Sequence, residues 1–226
     1  MMAMRFFDIL FSGLAIAALS PLLAPIIIVL LSTGEGKVFF RQERVGKGMK
    51  TFRLLKFATM LENSPNIGSG TITTKNDPRI LPVGRLLRKT KINELPQLIN
   101  ILLGDMSIIG PRPLTEETFS FYPRQTQSSI SLVRPGLSGM GSIIFRNEEE
   151  IIQTQGNPRE FYSSEIAPYK GELEKWYVLR ANIFIYFALI FLTAWVVVFF
   201  KSKIVWKIFK SLPKPPSSLS ADLGFE

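Results

Sequence analysis

The sequence predicts a mixed α/β, helix-dominated, membrane-embedded protein. Three observations carry this. Apolar residues make up 46% of the 226 and concentrate in two runs, Ile9–Leu31 and Ile183–Phe200. Between the runs, short alternating stretches separated by glycines predict strands and turns among short helices. The chain is basic, with a formal net charge of +9, and its cations flank the apolar runs. A basic chain suits anionic lipid, nucleic acid or an anionic small molecule. The placement of the cations selects the membrane, and no basic platform interleaved with aromatics speaks for nucleic acid. Four parts follow: an N-terminal membrane helix over 1–36, a cytoplasmic domain with short strands and interfacial helices over 37–180, a C-terminal hydrophobic membrane-associated helix over 181–210, and a disordered tail over 211–226.

The first run has 23 residues without a charge, long enough to cross a bilayer. It exceeds the apolar region of a usual signal peptide, and no small-residue cleavage site precedes Gly34. Pro21 and Pro25 lie inside it. Each removes a backbone donor and crowds the carbonyl four residues back, so the helix is expected to kink near Ser20-Pro21, with the Ser20 hydroxyl free to satisfy a released carbonyl. Seven cations between Lys37 and Lys56 follow the run and hold its downstream end in the cytoplasm. Arg5 with Asp8 draws the upstream end outward only weakly. A kinked single span and a re-entrant hairpin with both ends cytoplasmic both fit these residues.

Val38–Met60 alternates around Gly46 and Gly48 and predicts two short strands joined by a turn. Most of its cations suit lipid headgroups, at about 1 kcal/mol each; Arg41 or Arg44 is expected to meet a phosphate as well. Leu61–Thr74, rich in Gly, Ser and Asn, reads as a loop, and Asn76–Ile80 opens the next ordered piece. Val83–Thr90 carries Arg85, Arg88 and Lys89 at helical spacing.

The chain has no Cys and no His. Disulfides, thiolates and the usual neutral-pH base are therefore excluded, which leaves carboxylates, Lys, Arg and a hard cation for any chemistry. Residues 91–113 collect them. Asn93 reads as an N-cap and Pro96 as a first-turn proline, with Leu95, Leu98, Ile99 and Leu102 as the buried face and Gly104 as the stop. Glu94 then lies at the positive end of a helix, where a phosphate or a cation–phosphate pair is welcome. It reads equally as an ordinary helix-start carboxylate, and Asp105 equally as a cap. Arg112 is more specific. Pro111 and Pro113 fix its backbone, and a rigidly presented guanidinium suits two-pronged phosphate contact. Val133–Gly139 adds a second Pro-restricted arginine, Arg134, followed by glycines that allow a ligand to approach the backbone.

These stretches resemble the bacterial sugar transferases, the small monotopic phosphoglycosyl transferases, from about Phe6 to Tyr177. The resemblance rests on Phe39-Phe40-Arg41-Gln42-Glu43-Arg44-Val45-Gly46, on Lys56-Phe57-Ala58-Thr59-Met60 and on Gly84–Thr90. The 91–113 string and Val133-Arg134-Pro135-Gly136 extend it. Ser20-Pro21 resembles the break of the family's re-entrant helix and favours the hairpin. The resemblance implies transfer of a sugar 1-phosphate from a UDP-sugar to undecaprenyl phosphate with release of UMP, at the cytoplasmic face of the bacterial inner membrane. It implies Mg²⁺ as cofactor with Glu94 as its ligand, and a phosphate contact from Arg112; Asp105 is read as a second metal ligand, and Arg88, Arg134 and Arg44 as further phosphate contacts. Membrane lipid is a further partner, and there is room for a homodimer. The surface glycan served would be an O-antigen, capsule, exopolysaccharide or glycoprotein glycan.

Two departures matter. Ala58 stands where the family usually has a cation. Asn93-Glu94 stands where it usually has Asp-Glu, and that Asp is the nucleophile of the covalent route. An amide is a poor nucleophile. Three outcomes remain: attack by Glu94, direct attack by the acceptor phosphate, or an inactive chain that serves as a membrane-bound binding partner.

Ile183–Phe200 is apolar on all faces, unlike the family's usual amphipathic helix, and Lys201, Lys203, Lys207 and Lys210 follow it. A span, a re-entrant helix and an in-plane helix all remain open. The prolines and serines of 211–226 predict disorder.

Overall fold

The computed structural model describes residues 2–64, 77–153, 156–199 and 202–225. The loop expected over Leu61–Thr74 lies mostly outside them, as does Phe200. The described chain runs α1 (Met2–Ser32), β1 (Phe39–Val45), β2 (Thr51–Phe57), α2 (Pro82–Lys89), α3 (Gln97–Leu103) and β3 (Ser107–Ile109). It continues through α4 (Glu116–Ser120), α5 (Arg124–Ile130), β4 (Gly136–Ser138), α6 (Met140–Ile144), α7 (Glu148–Gln153) and α8 (Pro158–Phe161). A π-turn at Tyr162–Ile166 leads into α9 (Ala167–Arg180), followed by α10 (Ile183–Val198), α11 (Ile204–Ile208) and α12 (Ser217–Ser220). The helix-dominated α/β expectation holds. The strands form two small sheets, antiparallel β1–β2 and parallel β3–β4.

Helix α1 stays helical through both prolines, so the expected kink does not interrupt the helix. The Ser20 hydroxyl donates to the Ala17 carbonyl at 2.8 Å, the group that Pro21 cannot reach. At 31 residues α1 is about 46 Å long, and it touches the rest of the chain near both ends. Arg5 donates to the Ile101 and Leu102 carbonyls, two of the orphan acceptors at the end of α3. Asp8 is buried and accepts from the Ser107 hydroxyl at 3.0 Å, the Ile108 N–H at 2.9 Å and the Tyr186 hydroxyl at 2.8 Å. Twenty-two residues on, Leu30 packs with Phe57 and Leu87. Between these points Ala15, Ile16 and Leu19 meet Leu54, Leu98, Ile101 and Met106. The opposite face, with Phe6, Leu14, Leu22 and Ile28, is exposed.

Helix α3 buries Leu98 and Ile101, whereas Ile99 and Leu102 lie at the surface. The predicted face was therefore turned by about one position. The expectation misplaced the helix start: α3 opens at Gln97 after a separate 3₁₀ turn, Ile92–Glu94, not at Glu94. Gly104 ends it at φ +100°, as a left-handed stop requires.

The C-terminal part corrects another expectation. Residues 211–225 are ordered rather than a disordered tail. Leu212 and Leu219 are buried. The Trp176 indole donates to the Ser211 hydroxyl at 3.2 Å, and the Tyr169 hydroxyl donates to the Pro213 carbonyl at 2.8 Å. Prolines here fix a return path across α9 rather than loosening the chain. Helix α10 is thus bracketed by segments that both pack on one core. At 16 residues it is about 24 Å long, short of a bilayer's hydrocarbon core.

Candidate active site

The hairpin β1–β2 supplies two of the cations. In its register Phe40 faces Lys56, Gln42 faces Leu54 and Arg44 faces Phe52, and paired residues share one face of a sheet. Arg44 and Lys56 therefore point to the same side, and Arg41 to the other. The 3₁₀ turn sets Glu94 against that side, with Lys91 at φ +60° just before it. The loop after β3 brings Arg112. Arg44, Leu54, Lys56, Glu94, Gln97, Arg112, Pro113, Gly136 and Leu137 line one cleft.

Glu94 Oε1 lies 3.7 Å from Lys56 Nζ and 3.6 Å from Arg112 Nη2. Burial pushes its carboxyl up, but Lys56, Arg112 and Lys91 outweigh burial and hold it at about 2. It is ionised at any physiological pH. Burial brings Lys56 down to about 8, with Glu94 opposing and Arg44, Arg112 and Arg88 adding to the fall. Burial and the neighbouring Arg112 lower Arg44 to about 10. Arg44 donates to the Pro113 carbonyl at 3.2 Å, and its Nε is buried without a partner. Glu94 raises Arg112 above the usual guanidinium range. The cleft holds three cations against one carboxylate, an arrangement that attracts a diphosphate.

Other predicted site residues lie elsewhere. Asn93 is buried beneath the turn. It caps no helix, and its Oδ1 has no partner. Asp105 stands past the far end of α3, about 10 Å of helix away, where it accepts from Asn100 at 3.1 Å. It does not join Glu94 in the cleft lining. Arg134 donates from Nε to the Gly104 carbonyl at 2.7 Å, at the end of α3, and is not in the cleft lining. Arg88 contacts the Met60 sulfur at 3.8 Å and stands 4.0 Å from Glu149. It is not in the cleft lining. The glycines after Arg134 admit backbone, not ligand: a Cβ on Gly136 or Gly139 would lie 2.1 Å from Gly110. That contact sets the base of the Pro111–Pro113 loop.

Lys56 was missed as a site residue. Its signal was in the sequence, since it shares the period-2 face of Leu54 and Phe52. Glu174 on α9 gave no local signal.

Residues 1–200 match the family model described as bacterial sugar transferase. This chain belongs to that family. It is 37% identical over 158 residues to the exopolysaccharide production protein ExoY of Sinorhizobium fredii, covering 64% of this chain and 70% of that one. It is 31% identical over 207 residues to the undecaprenyl-phosphate galactose phosphotransferase of Salmonella typhimurium, covering 85% and 40%. The UDP-N-acetylgalactosamine-undecaprenyl-phosphate N-acetylgalactosaminephosphotransferase of Aeromonas hydrophila is 39% identical over 142 residues, covering 62% and 33%.

Among the described residues no cluster of three His, Cys, Asp or Glu could cage a metal. The donor set does fit Mg²⁺ in another form. Mg²⁺ commonly takes one or two carboxylates and completes its shell with water and substrate phosphates, and Glu94 offers that single carboxylate.

Proposed function

We propose that this sugar transferase moves a sugar 1-phosphate from a UDP-sugar to undecaprenyl phosphate and releases UMP, as the first membrane step of surface glycan assembly. The observation that carries this is Glu94 set between Lys56 and Arg112 in a cationic cleft. Family membership and the printed activities of the Salmonella and Aeromonas relatives agree with it.

Arg112 and Arg44 grip the diphosphate, while Lys56 neutralises charge that builds on the transferring group. When bound, Mg²⁺ supplies Lewis-acid stabilisation of the phosphoryl oxygens, with Glu94 as its protein ligand and Asp105 no longer among them. Asn93 is buried and neutral, so it makes no bond. An oxygen of the acceptor phosphate bonds to the sugar-bearing phosphorus. The bond from that phosphorus to the bridging oxygen breaks, and UMP leaves with the electron pair. No proton transfer is needed. A second reading has Glu94 attack first, since it is the carboxylate of the cleft. Its depressed pKa, which marks a weak nucleophile, favours the direct route.

The site is proposed to face the cytoplasm at the bacterial inner membrane. Helix α1 is held to one body near both ends, which suits a re-entrant or in-plane segment whose outer face meets lipid. The bracketed α10 suits the same placement.

The test is a panel of UDP-sugars against membrane fractions. UMP release that requires polyprenol phosphate supports the reading. Release from none of the panel, with the folded chain present, overturns it.

A further inference from the structure

Arg112 has to be held from behind. In Pro111-Arg112-Pro113 the prolines carry no N–H, so the N–H of Arg112 is the tripeptide's sole backbone donor. It donates to Glu174 Oε1 at 3.3 Å. Glu174 comes from α9 and is only 1% exposed. Its carboxylate lies in a space kept open by glycines. A Cβ at Gly141 would fall 2.5 Å from Oε1, and one at Gly139 would fall 3.5 Å from Oε2. Oε2 makes no hydrogen bond. A buried carboxylate whose second oxygen has no hydrogen bond within the protein is costly, which marks it as kept for position rather than for packing.

We propose that Glu174 is a positioning residue: its carboxylate anchors the backbone of Arg112 and so aims the guanidinium at the substrate phosphates. This rests on the proposed function above. The surroundings agree. Lys170, one turn earlier on α9, is buried, pairs with Glu148 and lies 5.6 Å above the Phe145 ring. Burial raises the Glu174 carboxyl to about 7, while Lys170 and the N–H groups of Arg112 and Gly141 favour its ionised form. Gly110, at the base of the loop, packs against Gly136 and Gly139. The anchor and the loop base are thus built from one set of backbone contacts.

The experiment combines two readouts on the full chain in membranes or nanodiscs. The first is amide exchange of the peptide over 107–114. In the parent the Arg112 amide is protected; in Glu174→Leu, which removes the acceptor, it exchanges at least tenfold faster. Glu174→Gln keeps a neutral acceptor and falls between. The second is a double-mutant cycle on UMP release. Glu174→Leu alone lowers kcat/KM at least tenfold, but in an Arg112→Lys background it lowers it no further, because both act through one guanidinium. Unchanged exchange in folded variants, or losses that simply multiply, overturns the proposal. If the Leu variant fails to fold, Glu174→Gln is carried through the same comparisons with a smaller expected effect. A parent without UMP release would count against the transferase reading, and the exchange readout would still decide Glu174.

Discussion

Lys56 Nζ stands 3.7 Å from Glu94 Oε1, at the end of a strand whose same face also presents Arg44 across the hairpin. Both residues need the cleft to be dry enough for charge to matter and wet enough for substrate to enter. Lys56, lowered by burial to about 8, is the one of the cleft's three cations that titrates nearest neutral pH.

A pH dependence follows. Below about 8 Lys56 is charged and the cleft carries its full positive excess. As pH rises through about 8 Lys56 loses its proton, and grip on the diphosphate weakens. KM for the UDP-sugar is expected to rise on that limb, with kcat falling less. Lys56→Arg keeps the charge to higher pH and should abolish the limb. A parent profile flat from pH 7 to 9.5 would show that Lys56 takes no part.

Glu94→Gln removes the cleft's carboxylate and leaves Lys56 and Arg112 without their counterion. Activity is expected to fall by about 10² or more, the scale of losing an electrostatic group at a reacting centre. The folded carboxyl is held near 2 against an ordinary value of 4.5. Its stabilising contribution is therefore present above about 4.5 and lost as pH falls towards 2. The Gln variant should melt somewhat lower at pH 7 yet remain folded, and the two melting curves should converge in acid. Parent-like turnover at saturating Mg²⁺ would remove Glu94 from the mechanism.

Topology can be read chemically, because the chain has no native Cys. Arg5 and Asp8 tie the start of α1 to the body that also holds Leu30. A cysteine introduced at position 2 should therefore be protected from an impermeant thiol reagent applied from the periplasm, and so should one at position 36. Labelling at position 2 alone would mean that α1 crosses the bilayer. Asp8→Asn weakens the tie to Ser107, Ile108 and Tyr186, and is expected to lower the melting temperature without altering which side is labelled.

Much of the fold was legible. The hairpin declared itself through alternation and two glycines, α2 through its cation spacing, and the end of α3 through Gly104. The site was legible where a motif carried its own backbone logic, as at Pro111-Arg112-Pro113. Other parts depended on tertiary packing that no local pattern encodes. Arg134 looks like a ligand-facing arginine, but the open carbonyls of α3 claim it. Asn93 looks like a cap, but the 3₁₀ turn buries it. The proline-rich C-terminus has the composition of a disordered tail, but Trp176 and Tyr169 on α9 give it a bed. Glu174 could not be found from sequence, since its partner lies 62 residues away.

Asn93 supplies the sharpest test of the mechanism. If attack by an Asp at this position were obligatory, the native chain would be inactive and Asn93→Asp would create activity. The structure weighs against that. Asn93 is buried under the turn and outside the cleft lining, so an Asp there must either move or remain in a poorly solvated place where its ionisation is costly. Arg44, Lys56, Glu94 and Arg112 are meanwhile assembled in one cleft. The native chain is therefore expected to turn over, and Asn93→Asp to give no gain and a lower melting temperature from its buried charge. Both proteins are assayed with the same UDP-sugar panel, and any sugar-phosphate adduct is trapped for mass spectrometry. Turnover without an adduct supports direct transfer, and an adduct on Glu94 supports the two-step route. A silent native chain beside an active Asn93→Asp variant would defeat both, because it would show that the covalent Asp is the element this chain lacks.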